Sequence, residues 1–84
     1  MEIAKMTVQT MGTYRTSDLY LSAFLKAKGM RLKDKLRSGD KFIFIFDDRD
    51  DRKELIQEFF NDGLVSITAF KNAIQDLKTM VFNT

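Results

Sequence analysis

Acidic residues cluster directly behind an apolar run in the middle of the chain. In FIFIFDDRDDRKE (residues 42–54), the side chains that could do chemistry are Asp47, Asp48, Asp50, Asp51 and Glu54. Clustered carboxylates can hold Mg²⁺ or Mn²⁺ through their oxygens, and nucleases that use two metal ions activate water at such clusters. Metal-assisted hydrolysis is therefore the first chemistry to weigh.

A structural role explains the same acidic residues. A carboxylate nuclease generally draws its acids and a lysine from adjacent strands, whereas these acids lie in one local stretch. The segment also has no glycine for the sixth position of a calcium-binding EF-hand loop. Aspartates favour the first position and first turn of a helix. We therefore predict a strand-to-helix turn here, with no metal site, no cofactor and no catalytic residue.

The composition excludes several other kinds of catalytic site. The 84 residues include no cysteine and no histidine, which excludes thiol nucleophiles, the usual zinc sites, imidazole bases and Ser-His triads. The N-terminal segment is too polar for a signal peptide, and no run of apolar residues is long enough to span a membrane. We predict a cytoplasmic protein that is not an enzyme and does not bind membranes.

Three segments have the periodicity of amphipathic helices. The first follows Thr16 or Ser17 as its N-cap and ends at Gly29, where a left-handed glycine terminates a helix readily. The second covers residues 50–61, and the third begins after Ser66 as its N-cap. The second and third each present an apolar stripe to a common core. The apolar residues of the first cover more than half of its circumference, which predicts that it packs on two sides.

Two alternating runs between the first two helices predict a β-hairpin. They occupy residues 30–36 and 42–46 and are joined by a short turn that contains Gly39. The predicted fold is α+β, a small antiparallel hairpin packed against three helices. Residues 14–84 form this single domain, and residues 1–13 form an N-terminal arm or an added edge strand.

Basic residues concentrate on the first strand of the hairpin. Strand alternation places Arg31, Lys33 and Lys35 on one face, where they could follow a phosphate backbone. With the cations near the strand ends, the candidate nucleic-acid-binding residues are Lys28, Arg31, Lys33, Lys35, Arg37 and Lys41. KFIFIF is similar to the aromatic strand of RNA-recognition folds, although the glycine of that motif is missing. A solvated edge strand explains the same lysines, so nucleic-acid binding is the alternative function.

The second strand is apolar on both faces. Phe42, Phe44 and Phe46 oppose Ile43 and Ile45, so the strand is either covered on both sides or offers one side to a partner. We take these five residues as a candidate interface. The predicted function is a small binding module that contacts a partner protein or forms a homo-oligomer, and the basic hairpin and acidic second helix offer complementary charge.

Residue order in several separate blocks resembles a known family. TYRTSDLYLSAFLKAKG is followed by FIFIF plus an acid, then by EFFNDG and AFKNAIQDLK. Over about residues 13–82 the chain resembles a family of small prokaryotic and phage-associated domains catalogued only as a domain of unknown function. The resemblance implies a stand-alone domain encoded by a phage or other mobile element. It implies no activity and no site residues.

Overall fold

The structure, a computed structural model, describes residues 12–82 and contains three strands and three helices within that range. In chain order they are β1 (Thr13–Thr16), α1 (Leu19–Ala27), β2 (Leu32–Ser38), β3 (Lys41–Asp47), α2 (Arg52–Phe60) and α3 (Ile67–Phe82). The predicted α+β class is confirmed. The arm or edge strand expected at residues 1–13 lies outside the described residues, apart from its last two positions.

The strands form one antiparallel sheet in the order β1-β3-β2. β2 and β3 form the predicted hairpin, and Gly39 in its turn has a φ of +63°, a conformation that glycine adopts without steric cost. The third strand, β1, pairs Tyr14 with Phe46 and Arg15 with Ile45. β3 is therefore the central strand of the sheet, and its phenylalanines and isoleucines lie on opposite faces of it.

A β-bulge interrupts the pairing of β2 with β3. Leu32 pairs with Phe46 and Asp34 pairs with the next residue, Ile45, so Lys33 is an extra residue in β2. Regular pairing resumes beyond the bulge, where Lys35 faces Phe44. The prediction of uninterrupted alternation in this strand was therefore wrong.

All three helices pack against one face of the sheet. Buried side chains from the sheet and the helices share a single core: Leu21, Ala23, Leu25, Met30, Phe44, Phe46, Leu55, Ala73 and Leu77. Ile43 and Ile45, on the opposite face of β3, are not part of this cluster. The sheet therefore has a helix-covered face and an outer face without a helix from residues 12–82.

The helix ends follow local capping chemistry. The N-cap of α1 is Asp18, whose carboxylate accepts a hydrogen bond from the Leu21 N–H at 3.0 Å, so the expected cap at Thr16 or Ser17 was one or two residues early. Gly29 follows α1 with a φ of +99°, as predicted. The Ser66 hydroxyl accepts from the Ala69 N–H at 3.1 Å, which confirms the predicted cap of α3.

Candidate interaction surface

The outer face of the sheet collects residues from all three strands. Residues that pair across an antiparallel ladder share a face, so the partners of Ile43 and Ile45 lie on the outer side. Lys33 has no partner at the bulge, but it is exposed and follows Leu32, which faces the helices, so we place it with the outer face. The strand residues of the outer face are then Thr13, Arg15, Lys33, Asp34, Leu36, Ser38, Lys41, Ile43, Ile45 and Asp47.

Cations outnumber carboxylates on this face, where Asp34 and Asp47 are the acidic residues. None of the ion pairs among residues 12–82 involves Arg15, Lys33 or Lys41. Arg31, just before β2, approaches Asp47 at 3.8 Å, a long ion pair between two exposed side chains. The outer face therefore attracts negatively charged groups.

The centre of the outer face is aliphatic. Ile45 is buried, Ile43 is half-buried, and Leu36 on the neighbouring strand is 42% exposed. Every phenylalanine of β3 points to the helix-covered face, and so does Tyr14 of β1, which pairs with Phe46. Within residues 12–82, the outer-face strand positions carry no aromatic ring on which a nucleic-acid base could stack.

A shallow cleft lies on this side of the sheet, beside the end of β1. Its volume is about 340 Å³, and it is lined by Arg15, Thr16, Ser17, Ser38, Lys41 and Ile43. β1 ends opposite Phe44, whereas β3 extends further to Lys41, which leaves this space beside the sheet. Two cations and an aliphatic side chain meet in the cleft, a combination that suits an acidic segment with apolar side chains.

The bulge divides the predicted basic face. Lys33 and Lys41 lie on the outer face, but Lys35 and Arg37 pair with Phe44 and Phe42 and so project toward the helix side. The Arg37 guanidinium lies 5.4 Å from the centre of the Phe42 ring. The prediction that Arg31, Lys33 and Lys35 share one continuous face was therefore wrong, because the extra residue at the bulge reverses the side on which later residues project.

Lys28 lies apart from the other predicted basic residues. Its ammonium group is 3.2 Å from a Glu58 carboxylate oxygen and donates a hydrogen bond to the Leu64 carbonyl at 3.0 Å. These contacts tie the end of α1 to α2 and to the connection before α3. Lys28 therefore has a structural role on the far side of the sheet.

The five predicted interface residues of β3 are distributed over both faces. Phe44 and Phe46 are core residues and Phe42 packs against them, so these rings are largely committed to the interior. Ile43 and Ile45 form the apolar centre of the outer face. Of the five, Ile43 is the residue best placed to contact another molecule there.

The acidic segment forms the predicted strand-to-helix turn. Arg52 donates hydrogen bonds to both carboxylate oxygens of Asp48, at 3.1 and 3.2 Å, and Arg49 does the same to Asp51 at 2.9 and 2.8 Å. Arg49 also reaches the Lys28 carbonyl at the end of α1, at 3.3 Å. Asp51 occupies the N-cap position of α2 but makes no side-chain capping bond.

These arginines set the electrostatics of the turn. The hydrogen bonds from Arg52 hold the pKa of Asp48 below its ordinary value, and the same contact raises the pKa of Arg52. Among residues 12–82, no three carboxylates converge in a geometry that could hold a metal ion. Asp48 and Asp51 therefore serve to hold Arg52 and Arg49 in place at the start of α2.

The sequence reasoning missed Arg15 as a member of the basic surface. Arg15 reaches the outer face because β1 pairs with β3, a contact between distant parts of the chain. The alternation of polar and larger side chains in TYRT, residues 13–16, was the available local signal for this strand. Four residues are too few for that pattern to be distinctive.

No helix within residues 12–82 combines the length and the apolar character needed to cross a membrane.

Comparisons with known proteins identify the family of the chain. Neither the curated proteins nor the solved structures include a match to the sequence. A family model described as "Domain of unknown function (DUF5659)" matches residues 11–83. The chain, a small α+β domain with a cationic outer sheet face, therefore belongs to the DUF5659 family.

Proposed function

We propose that this domain binds a partner protein through the outer face of its sheet and performs no catalysis itself. The observation that supports the proposal is the combination of a shallow aliphatic centre, formed by Ile43 and Leu36, with three cations that have no ion-pair partner among residues 12–82. Such a surface fits a partner segment that carries acidic side chains next to aliphatic ones. A cytoplasmic location and an origin in a phage or mobile element stay predictions from the sequence.

Nucleic acid is the alternative occupant of the same surface. Phosphates would be attracted by Arg15, Lys33 and Lys41, but base stacking requires aromatic rings that the outer-face strand positions do not carry. The bulge also shortens the basic row that could follow a phosphate backbone. Both features favour a protein partner over nucleic acid.

A capture experiment with charge-matched variants tests the proposal. The bait carries Arg15→Glu and Lys41→Glu, and the control bait carries Lys53→Glu and Lys71→Glu, which change the net charge equally at exposed positions away from the outer face. We expect a protein partner that is retained by the native and control baits after nuclease treatment and is reduced at least roughly tenfold on the outer-face bait, since several charge contacts are lost. Circular dichroism and thermal melts establish that every bait is folded.

A direct titration provides a second measurement. A short synthetic peptide in which glutamate and leucine alternate should shift the amide resonances of Arg15, Lys41 and Ile43 in the native protein, and single-stranded DNA of similar charge should bind more weakly. Loss of all captured material after nuclease, or equal capture by the two variant baits, would contradict the proposal. Stronger binding of the DNA than of the peptide would favour the nucleic-acid alternative.

A further inference from the structure

An apolar groove lies on the helix-covered side of the sheet, away from the outer face. It has a volume of about 240 Å³ and is lined by Ser17, Leu19, Phe42, Phe44, Lys78, Val81 and Phe82. The groove brings together the start of α1, the first half of β3 and the end of α3. Lys78 is the only charged side chain among these residues, so the groove suits an apolar occupant.

An exposed aromatic ring stands at the edge of the same groove. Phe82, at the end of α3, is 80% exposed although it contributes to the lining. An apolar cavity of about 150 Å³ is enough to hold a benzene ring, and this groove is larger. One patch of the surface therefore carries both a projecting phenyl ring and a space that can receive one.

A projection beside a recess on one patch is an arrangement that two-fold symmetry can use. In a two-fold contact each subunit contributes the same surface, so the projection of each subunit fills the recess of the other. We propose that a second copy of this chain covers the groove, with Phe82 of each copy inserted into the groove of the other. The inference is independent of the outer face, which lies on the opposite side of β3.

Charge on the β2 edge of the sheet disfavours a dimer in which two copies pair along that edge. β2 is an edge strand of this sheet, and two copies that paired along it would bring Lys33, Lys35 and Arg37 of both copies close together. The bulge at Lys33 further disrupts a regular edge. Self-association through the groove avoids both obstacles, because only Lys78 is charged there.

The contact is small, and this sets the concentration at which it should appear. Interfaces that bury less than about 1,200 Å² in total belong to the weak, transient class. A dimer held by one groove and one ring per subunit should therefore form at roughly 100 µM and above, rather than in the nanomolar range.

Sedimentation equilibrium of three proteins tests the inference. We expect the native chain to dimerise with rising concentration, Phe82→Ala to weaken the dimer at least tenfold, and Ile67→Ala to leave it unchanged. Ile67 is the matched control because it is an apolar residue at the other end of α3 with a similar exposure, 83%. A native protein that is monomeric at millimolar concentration, or two alanine variants with equal dissociation constants, would overturn the proposal.

Tryptophan fluorescence gives a second, local readout. The chain contains no tryptophan, so Phe82→Trp and Ile67→Trp each introduce a single reporter. We expect the emission of the first to shift to shorter wavelength as the protein concentration rises, because the ring enters an apolar groove, and that of the second to stay constant. Dimerisation with a constant emission from Phe82→Trp would place the contact elsewhere and contradict the inference.

Discussion

Arg52 links two distant parts of the chain through a single side chain. Its guanidinium binds both carboxylate oxygens of Asp48 and lies 4.5 Å from the centre of the Tyr14 ring. Bidentate pairing and stacking on an aromatic face both depend on the planar guanidinium, so lysine cannot replace this residue without loss. Arg52 thereby fastens the first turn of α2 to β1, the strand that also supplies Arg15 to the outer face.

The Asp48–Arg52 pair makes the stability of the domain depend on pH. The pKa of Asp48 lies below its ordinary value of 3.8, first of all because Arg52 donates hydrogen bonds to it. A carboxyl group whose pKa is lower in the folded state contributes stability that is fully present above its unfolded pKa. That contribution is lost as the pH falls through the folded-state pKa. We expect Asp48→Asn to lower the free energy of unfolding at pH 7 by about 1 kcal/mol.

Denaturant unfolding at several pH values checks this prediction. The difference in unfolding free energy between the native protein and Asp48→Asn should begin to shrink as the pH falls below about 3.8, where Asp48 of the unfolded chain takes up a proton, and should level off below the lower pKa of the folded state. Asp50→Asn is the control, because Asp50 is exposed and forms none of the ion pairs found within residues 12–82. A difference that stayed constant with pH would show that the charge of Asp48 is not the cause.

At the scale of the elements, the N-terminus of α1 is capped by Asp18 and not by the neighbouring Ser17. The Asp18 carboxylate accepts the Leu21 N–H, while the neighbouring Thr16 hydroxyl accepts the Asp18 N–H at 3.1 Å. We expect Asp18→Ala to lower the free energy of unfolding by about 1 kcal/mol, since a cap and a favourable charge at a helix N-terminus are lost together. Ser17→Ala should cost only a few tenths of that amount, because Ser17 makes no capping bond to α1.

Thermal melts of the two alanine variants measure this difference. The midpoint should fall by several degrees for Asp18→Ala and by little for Ser17→Ala. Equal shifts, or a larger shift for Ser17→Ala, would contradict Asp18 as the cap and favour Ser17, which the sequence had suggested. Far-UV circular dichroism confirms that the remaining helices are intact in both proteins.

Elements with local signals could be predicted from the sequence. Gly29 after α1 and Ser66 before α3 act within one turn of their own helix, so neighbouring residues were enough to identify them. The strict alternation of phenylalanine and isoleucine likewise identified β3. The first cap was misplaced because Thr16, Ser17 and Asp18 are all good capping residues, and only the start of the helical backbone selects among them.

The candidate surface was harder to predict because it depends on pairing between distant strands. Lys33 becomes an extra residue only when Leu32 pairs with Phe46 and Asp34 with Ile45. That register decides the face on which Lys35 and Arg37 project, and no local sequence pattern predicts the register. Arg15 joins the surface for the same reason, since β1 contributes to it only through its pairing with β3.

At the scale of the whole molecule, β3 separates two surfaces of different chemistry. Ile43 lies on the outer face among cations, and Phe42 and Phe44 lie on the other side along the apolar groove. Surface charges respond to salt, because the Debye length falls from about 30 Å at 0.01 M to about 3 Å at 1 M. Contacts between apolar groups depend far less on ionic strength.

The two surfaces should therefore respond differently to salt and act independently. From about 50 to about 500 mM NaCl, we expect binding of the glutamate-leucine peptide to weaken several-fold as its attraction to the cations is screened. Dimerisation should be unchanged or slightly stronger, because the repulsion between the Lys78 residues of the two copies is screened. Calorimetric titration of the peptide and sedimentation of the protein alone measure the two equilibria.

Arg15→Gln with Lys41→Gln should affect only peptide binding and Phe82→Ala only dimerisation, since sites without shared contacts are additive. If both equilibria weakened in parallel with salt, or if each variant changed both, the two activities would belong to one surface.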